Sequence, residues 1–328
     1  MSKAPTSRLG LAGVTPAVFL WIVFANLVLA PVVWAAEIAP PGTAVHWASA
    51  EHSLMLGMGI ANASWHLDEP CNRGRYATML AQLSGQSTVD ELVAEGILSG
   101  FPDGELHLDY RVTRAEAATM IWRTLQYLQN KGVAGQWQRQ DNPGASEGPT
   151  APEFSDIRGH WAETAIIEGA RLGIFKGYGD GTWKPSRSLS TAEAIVMLTR
   201  FAYAAPPAAS PDSVDSINAI VPAYYKALAA GLSTVPMDFT AAQMYTTGQA
   251  SQELAQSLPA LQALTAQGTA VQVAVQNVQT QVLARSALVA IVQVDRQTVE
   301  LIDGKATPQD LREVLYLRLT PSGWKIFH

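Results

Sequence analysis

Apolar positions fall into two registers along this chain. Between residues 43 and 204 they recur at helical spacing, as in Ala118, Ile121, Leu125 and Leu128, one buried stripe of a helix. From residue 270 onward the period drops to two. AVQVAVQNVQTQVL, ALVAIVQVDRQTVELI and REVLYLRLT alternate apolar with polar residues, and the turn Pro321-Ser322-Gly323 leads into a last short strand. Between these regions, SVDSINAIVPAYYKALAAG (with Pro222) and the stretch Ala241–Leu264 read as helices. Helices first and antiparallel strands after predict an α+β tail domain over 214–328.

The helical region repeats itself. Shifted by 77 residues, GFPDGELHLDYRVTRAEAATM from Gly100 lies without a gap over GYGDGTWKPSRSLSTAEAIVM from Gly177. Gly100, Asp103, Gly104 and Glu116 then meet Gly177, Asp180, Gly181 and Glu193. A weaker copy precedes them. His46-Trp47-Ala48 resembles His160-Trp161-Ala162, Gly59-Ile60 resembles Gly173-Ile174, and NRGRYATML resembles TRAEAATMI. Its loop is shorter and lacks the Gly-Asp-Gly turn, whereas the second copy lacks the His-Trp opening. Each copy reads as helix, turn, helix, the first helix of copy three running from about His160 to Leu172 and ending at Gly173. Thr113 with Glu116, and Ser190 with Glu193, are capping boxes, each hydroxyl contributing about 1 kcal/mol to its helix.

The caps leave Arg114 unexplained. It precedes Ala118 by four residues and so sits on the buried stripe's face at the N-terminal edge, as Arg73 does relative to Ala77. A guanidinium beside helix N–H groups suits an anion; the same position suits an arginine lying over the core or pairing with a carboxylate.

Composition narrows the function. A net charge of −6 argues against nucleic acid as a partner. A single cysteine, Cys71, excludes an intramolecular disulfide and any multi-cysteine metal site. Lys3 and Arg8 precede an uncharged run over 9–36, which reads as a cleaved export signal or a retained membrane tether. Either places the remainder outside the cytoplasmic membrane. No nucleotide loop, zinc-protease helix or nucleophile elbow occurs, and no cofactor or metal is expected. In the tail, Asp295 and Tyr316 lie on predicted strands as one carboxylate and one phenol, and without a motif they do not make an enzyme. The chain divides into 1–36 (signal or anchor), 43–84, 85–130 and 153–204 (repeats), 131–152 and 205–213 (linkers), and 214–328.

These repeats resemble the S-layer homology family, modules that hold surface proteins non-covalently on bacterial cell walls. Copy three carries Phe154-x-Asp156, His160-Trp161-Ala162, Gly173-Ile174, GYGDG, Trp183-x-Pro185 and Glu193; copy two carries the loop and an intact Thr-Arg-Ala-Glu. The resemblance implies an all-α, pseudo-threefold triplet binding a secondary cell-wall polysaccharide, often pyruvylated. It implies Arg114 and Arg73 as carboxylate contacts, with Asp103, Gly104, Trp161, Asp180 and Trp183 as further polysaccharide-binding residues. Trp47 and Trp65 are additional sugar-stacking candidates. Copy three departs from the pattern with Thr191 in place of the arginine, and copy one has Asn72 as cap and Arg75 in place of the glutamate. One good carboxylate pocket is therefore expected, or two, and not three. The tail is similar in element order to the cone-shaped fold of nuclear transport factor 2 and ketosteroid isomerase relatives. That implies helices on a curved antiparallel sheet, a binding module, and leaves a homodimer through this domain open; the alternative is a wall-localised enzyme acting on a small ligand.

Overall fold

The computed structural model describes residues 46–135, 153–208 and 212–328. The export or tether segment and most of the 131–152 linker lie outside them. Among the described residues no helix is long and apolar enough to cross a membrane.

Each copy supplies two helices: α1 (Ser49–Gly57) and α2 (Arg73–Leu83), α3 (Val89–Ala94) and α4 (Arg114–Asn130), α5 (Glu163–Arg171) and α6 (Thr191–Ala204). The second helix of every copy is capped. Asn72 accepts from Arg75 N, so the asparagine of copy one works as a cap, and both capping boxes of α4 and α6 are complete. The first helices run into Gly59, Gly96 and Gly173, whose φ of 73°, 70° and 75° only glycine adopts freely. Helix α5 starts later than the sequence spacing suggests. His160 Nδ1 accepts from Ala162 N and forms a separate turn, as His46 does for Ala48 N.

The three copies interlock through the residues just before the caps. Cys71 N donates to Leu189 O, Leu189 N to Val112 O, and Val112 N to Cys71 O, each at 2.9–3.0 Å. This ring of three backbone bonds brings three buried side chains together. It gives the lone cysteine its role as a small core residue, and burial pushes its thiol up to about 12.

The tail comprises α7 (Asp212–Leu232), α8 (Thr240–Gln243), α9 (Gly248–Ala266) and a four-stranded antiparallel meander: β1 (Val271–Arg285), β2 (Val289–Ile302), β3 (Lys305–Thr320) and β4 (Gly323–Ile326). The helix expected over Ala241–Leu264 is broken in two. The C-terminal strand docks into the gap, with Ile326 N donating to Tyr245 O and Thr247 N to Ile326 O. Tyr224, Leu228, Leu254 and Leu261 from the helices pack on Val292, Val294, Leu315 and Leu317 of the sheet.

The tail packs against the repeats. Ala287, Leu288, Val289 and Phe327 belong to the same core as the repeats. Ser286 Oγ donates to Ala202 O at 2.6 Å, and Arg318 Nη1 to Gln82 O at 2.9 Å. Gly57 and Gly248 meet so closely that a Cβ on Gly248 would strike Gly57 O. Copy one and the tail are thus packed together.

Candidate ligand clefts between the repeats

The start of each second helix docks on the loop of the next copy. Arg73 N and Gly74 N donate to Tyr110 O and Leu108 O; Arg114 N and Ala115 N to Arg187 O and Pro185 O; Thr191 N and Ala192 N to Glu69 O and Leu67 O. The N3 groups go to the cap side chains. The first three orphan donors of each helix are therefore consumed by protein oxygens. This corrects the expectation of an anion site at the helix N-terminus itself. Whatever anion affinity exists must come from side chains.

Arg73 and Arg114 occupy equivalent places. Arg73 Nε donates to Leu106 O (3.1 Å) and Nη2 to Ser99 O (3.1 Å), with the guanidinium 4.7 Å from the Phe101 ring centre. Arg114 Nε donates to Trp183 O (2.8 Å) and Nη2 to Lys176 O (3.1 Å), 4.3 Å from the Trp183 ring centre. Both are buried, so each arginine is a strut fixing the neighbouring copy's loop. They differ at the third nitrogen. Arg73 Nη1 is paired with Glu116 at 2.6 Å. The matching Glu193 is held instead by Arg187 at 2.5 Å, and Arg114 Nη1 has no acceptor among the described residues. Burial lowers the pKa of Arg114, so an incoming anion would relieve a desolvated charge.

Around each arginine lies a cleft. The Arg114 cleft, about 140 Å³, is lined by Phe175, Lys176, Trp183, Glu193 and Arg200, with Trp47 of copy one at its side. Trp183 is fully buried, and its indole N–H also lacks an acceptor among the described residues. The Arg73 cleft, about 180 Å³, has Leu98, Ser99, Glu116 and Arg123 in the matching places, with Phe101 beside them and Trp161 of copy three at its side. Trp47 and Trp161 are 62% and 64% exposed, free faces suited to a sugar ring. A wider cleft in copy one, about 680 Å³, holds Trp65, Arg75 and Gln82. There Thr191 stands where the arginine belongs, and Arg75, in the glutamate's position, donates to Thr191 Oγ1 at 3.0 Å, lying over Trp65.

Other expected contacts fall elsewhere. Asp103 accepts from Glu105 N and pairs with His107; Asp180 accepts from Thr182 N and Oγ1 and pairs with Lys184. They brace exposed turns, as does Gly104 at φ 86°, and none of the three lines a cleft. The Thr182 hydroxyl, then its N–H, holds Asp180 down at about 2. Asp103 is lowered by His107 first and the Glu105 N–H next. Trp183 offers an edge rather than a stacking face. Lys176, Arg123 and Arg200 were missed, although Arg123 and Arg200 align at the same shift of 77 that revealed the repeats. Asp295 and Tyr316 do not form a pair inside the tail. Asp295 is bound to Arg312 on the sheet face away from the helices, and Tyr316 packs beside Phe327 at the junction with the repeats. No group of three His, Cys, Asp or Glu side chains able to hold a metal occurs among the described residues.

These features define a helical repeat module with basic, aromatic-flanked clefts between copies. Residues 84–118 and 153–195 match the profile of the S-layer homology domain. The chain is 29% identical over 125 residues to "Cell surface glycoprotein 1" of Acetivibrio thermocellus, covering 38% of this chain and 5% of that protein. It is 31% identical over 106 residues to the "Cellulosome-anchoring protein" of the same organism (32% and 21%). It is 28% identical over 116 residues to the "Middle cell wall protein" of Brevibacillus brevis (35% and 10%). The chain thus spans about a fifth or less of the length of these curated relatives, and the likeness rests on the repeats.

Proposed function

We propose that this chain is a cell-surface protein whose three repeats (43–84, 85–130 and 153–204) form an S-layer homology triplet. The triplet holds the chain on the bacterial cell wall by binding an anionic group of a wall polysaccharide, such as a pyruvate ketal carboxylate. The observation that carries this is the Arg114 cleft. Its one carboxylate, Glu193, is tied to Arg187, while among the described residues Arg114 is held only through Nε and Nη2, Trp183 Nε1 is buried without an acceptor, and Lys176 and Arg200 add positive charge. A carboxylate bound to such a guanidinium is worth roughly 1.5–3 kcal/mol. Trp47 then offers its exposed face to the attached sugar. The Arg73 cleft is the weaker of the two, because Glu116 already occupies the guanidinium and repels a second carboxylate.

The test is a pull-down of the chain from residue 37 on purified cell walls, before and after chemical removal of pyruvate. Binding should fall on depyruvylation and in a Lys176→Ala/Arg200→Ala variant, which leaves the Arg114 strut intact. Undiminished binding in both arms would remove the mechanism. The tail reads as a small binding domain of helices on a curved sheet, similar in element order to the nuclear transport factor 2 relatives and carried on the wall by the repeats.

A further inference from the structure

The far ends of the three second helices are not alike. At α2 and α6 the tail packs on them: Arg318 Nη1 donates to Gln82 O, Ser286 Oγ to Ala202 O and Ala287 N to Ala205 O. Helix α4 runs to 17 residues, against 11 and 14 for α2 and α6. Beside its last two turns lies an open hollow of about 600 Å³, lined wholly by copy two, with Glu95 and Gly96 on the side facing the helix. Ser99 and Arg123 line both this hollow and the Arg73 cleft, so the two adjoin. From Met120 in the cleft to Asn130 at the far end, the helix advances about 15 Å. That is room for a short oligosaccharide, and far more than a single carboxylate fills.

The lining selects a ligand of low charge. Arg73 is paired with Glu116, and Lys131 with Glu95 at 3.5 Å, which leaves Arg123 as the one cation in excess along the joined groove. Arg123 is itself engaged, Nη1 donating to Ser99 Oγ at 2.8 Å and to Ile97 O at 3.4 Å. In the Arg114 cleft, by contrast, three cations line the same space as one carboxylate. The remaining polar groups of the hollow are the Gln126 and Asn130 amides and the Tyr127 hydroxyl, all able both to donate and to accept. That is what sugar hydroxyls ask for. Tyr127, half-buried, and the exposed Trp161 at the other end offer aromatic faces to the C–H side of a sugar ring. At the shift of 77, Tyr127, Asn130 and Lys131 meet Ala204, Pro207 and Ala208, so copy three has no such extension.

We propose that the Arg73 cleft and this hollow form one groove that binds an uncharged oligosaccharide stretch of the wall polysaccharide, while the Arg114 cleft takes its anionic group. The inference rests on the wall-binding reading and gives the two clefts different ligands. The test uses the chain from residue 37 on purified walls stripped of pyruvate, where the anionic contact is gone. The parent should still be retained there. Raising salt from about 0.1 M to 1 M, which cuts electrostatic reach from about 10 Å to 3 Å, should leave that binding within about twofold. Gln126→Ala/Asn130→Ala changes two exposed side chains and should keep the parent's melting temperature. It should weaken binding to stripped walls roughly tenfold, through the loss of two hydrogen-bonding amides. Lys176→Ala/Arg200→Ala should hold stripped walls as the parent does. The proposal is overturned if the parent does not hold stripped walls, if Gln126→Ala/Asn130→Ala holds them as well as the parent, or if the binding collapses in salt. It is equally overturned if peptidoglycan freed of the polysaccharide is held as well. Failure of the wall-binding reading looks different: removal of pyruvate would then leave binding of the parent undiminished.

Discussion

Arg114→Ala removes a strut as well as a cleft donor, and the size of the loss can be worked from the contacts. The bond from Nε to Trp183 O is charge-assisted and buried, worth roughly 1.5–3 kcal/mol, and its loss leaves a carbonyl without its donor. The bond to Lys176 O counts for less, since that residue is exposed and water can replace the guanidinium. The stacking on Trp183 adds about 0.5–1 kcal/mol. Against this, the variant no longer desolvates a cation, the effect that lowers the pKa of Arg114. The balance is a destabilisation of about 3 kcal/mol, which for a folded unit of this size lowers the melting temperature by about 6–12 °C. Arg114→Lys should recover little, because one ammonium on a flexible stem cannot reproduce the planar fork that reaches both carbonyls. Urea unfolding followed by tryptophan fluorescence, with scanning calorimetry, measures both variants. A melting temperature within 2 °C of the parent for Arg114→Ala, on the order of 1 kcal/mol or less, would refute the strut.

Arg187→Tyr, which installs the residue that copy two has at Tyr110, should free Glu193 to pair with Arg114 Nη1 and lower wall binding several-fold with little change in stability; unchanged binding in the pull-down would contradict this. In copy one, Thr191→Arg alone should destabilise by about 1–2 kcal/mol through like charge against Arg75, and adding Arg75→Glu should rebuild an Arg73–Glu116-type pair. A double-mutant cycle should then show at least about 1 kcal/mol of coupling, and additivity would exclude it. Gly248→Ala forces a Cβ into Gly57 O at a φ of 56°, and should cost more than about 2 kcal/mol and expose the junction to proteolysis; wild-type resistance would show that the tail and copy one can separate there. The folded-state pKa of Asp180 is depressed, so its contribution to stability is present above the unfolded value near 3.8 and is lost as pH falls through about 2. An NMR titration midpoint at the unperturbed value would refute the Thr182 bonds, and Thr182→Val should raise it.

The capping boxes, the glycine stops and the alternating strands were readable because each follows from neighbours in sequence. Thr113 and Glu116 need only three residues between them, and β2 needs only a period of two. The hydrogen-bonded ring of Cys71, Val112 and Leu189 was not readable, since it joins residues from three copies through backbone atoms that carry no sequence label. The break at Tyr245 is hidden for a related reason: Thr246, Thr247 and Gly248 weaken the helix there, but the strand that docks into the gap through Ile326 arrives from the far end of the chain. Arg114 was placed correctly at the edge of the buried face, but its phase could not distinguish a strut from a ligand contact. It serves as the first through Nε and Nη2, and the open Nη1 is what the proposed ligand would use.

The difference between the two arginine clefts comes down to one aligned pair. Position 110 of copy two is a tyrosine and position 187 of copy three is an arginine, at the same shift of 77. With no competing cation beside it, Glu116 turns to Arg73 and fills its third nitrogen. With Arg187 present, and further held by Tyr178 OH, Glu193 turns outward and leaves Arg114 open. Both glutamates still complete their capping boxes with the other carboxylate oxygen, so helix stability does not decide between the two states. A single cation therefore sets whether the arginine acts as a strut alone or as a strut with a free donor. By that criterion copy one is a third case: Arg75 supplies the guanidinium from the glutamate's position and donates through Nη1 to Thr191, and the widest of the three clefts, which it lines, has Asp109 as its carboxylate in place of the motif glutamate. The copy that departs furthest from the pattern in sequence is thus the one whose cleft keeps a guanidinium with no carboxylate in the motif to neutralise it.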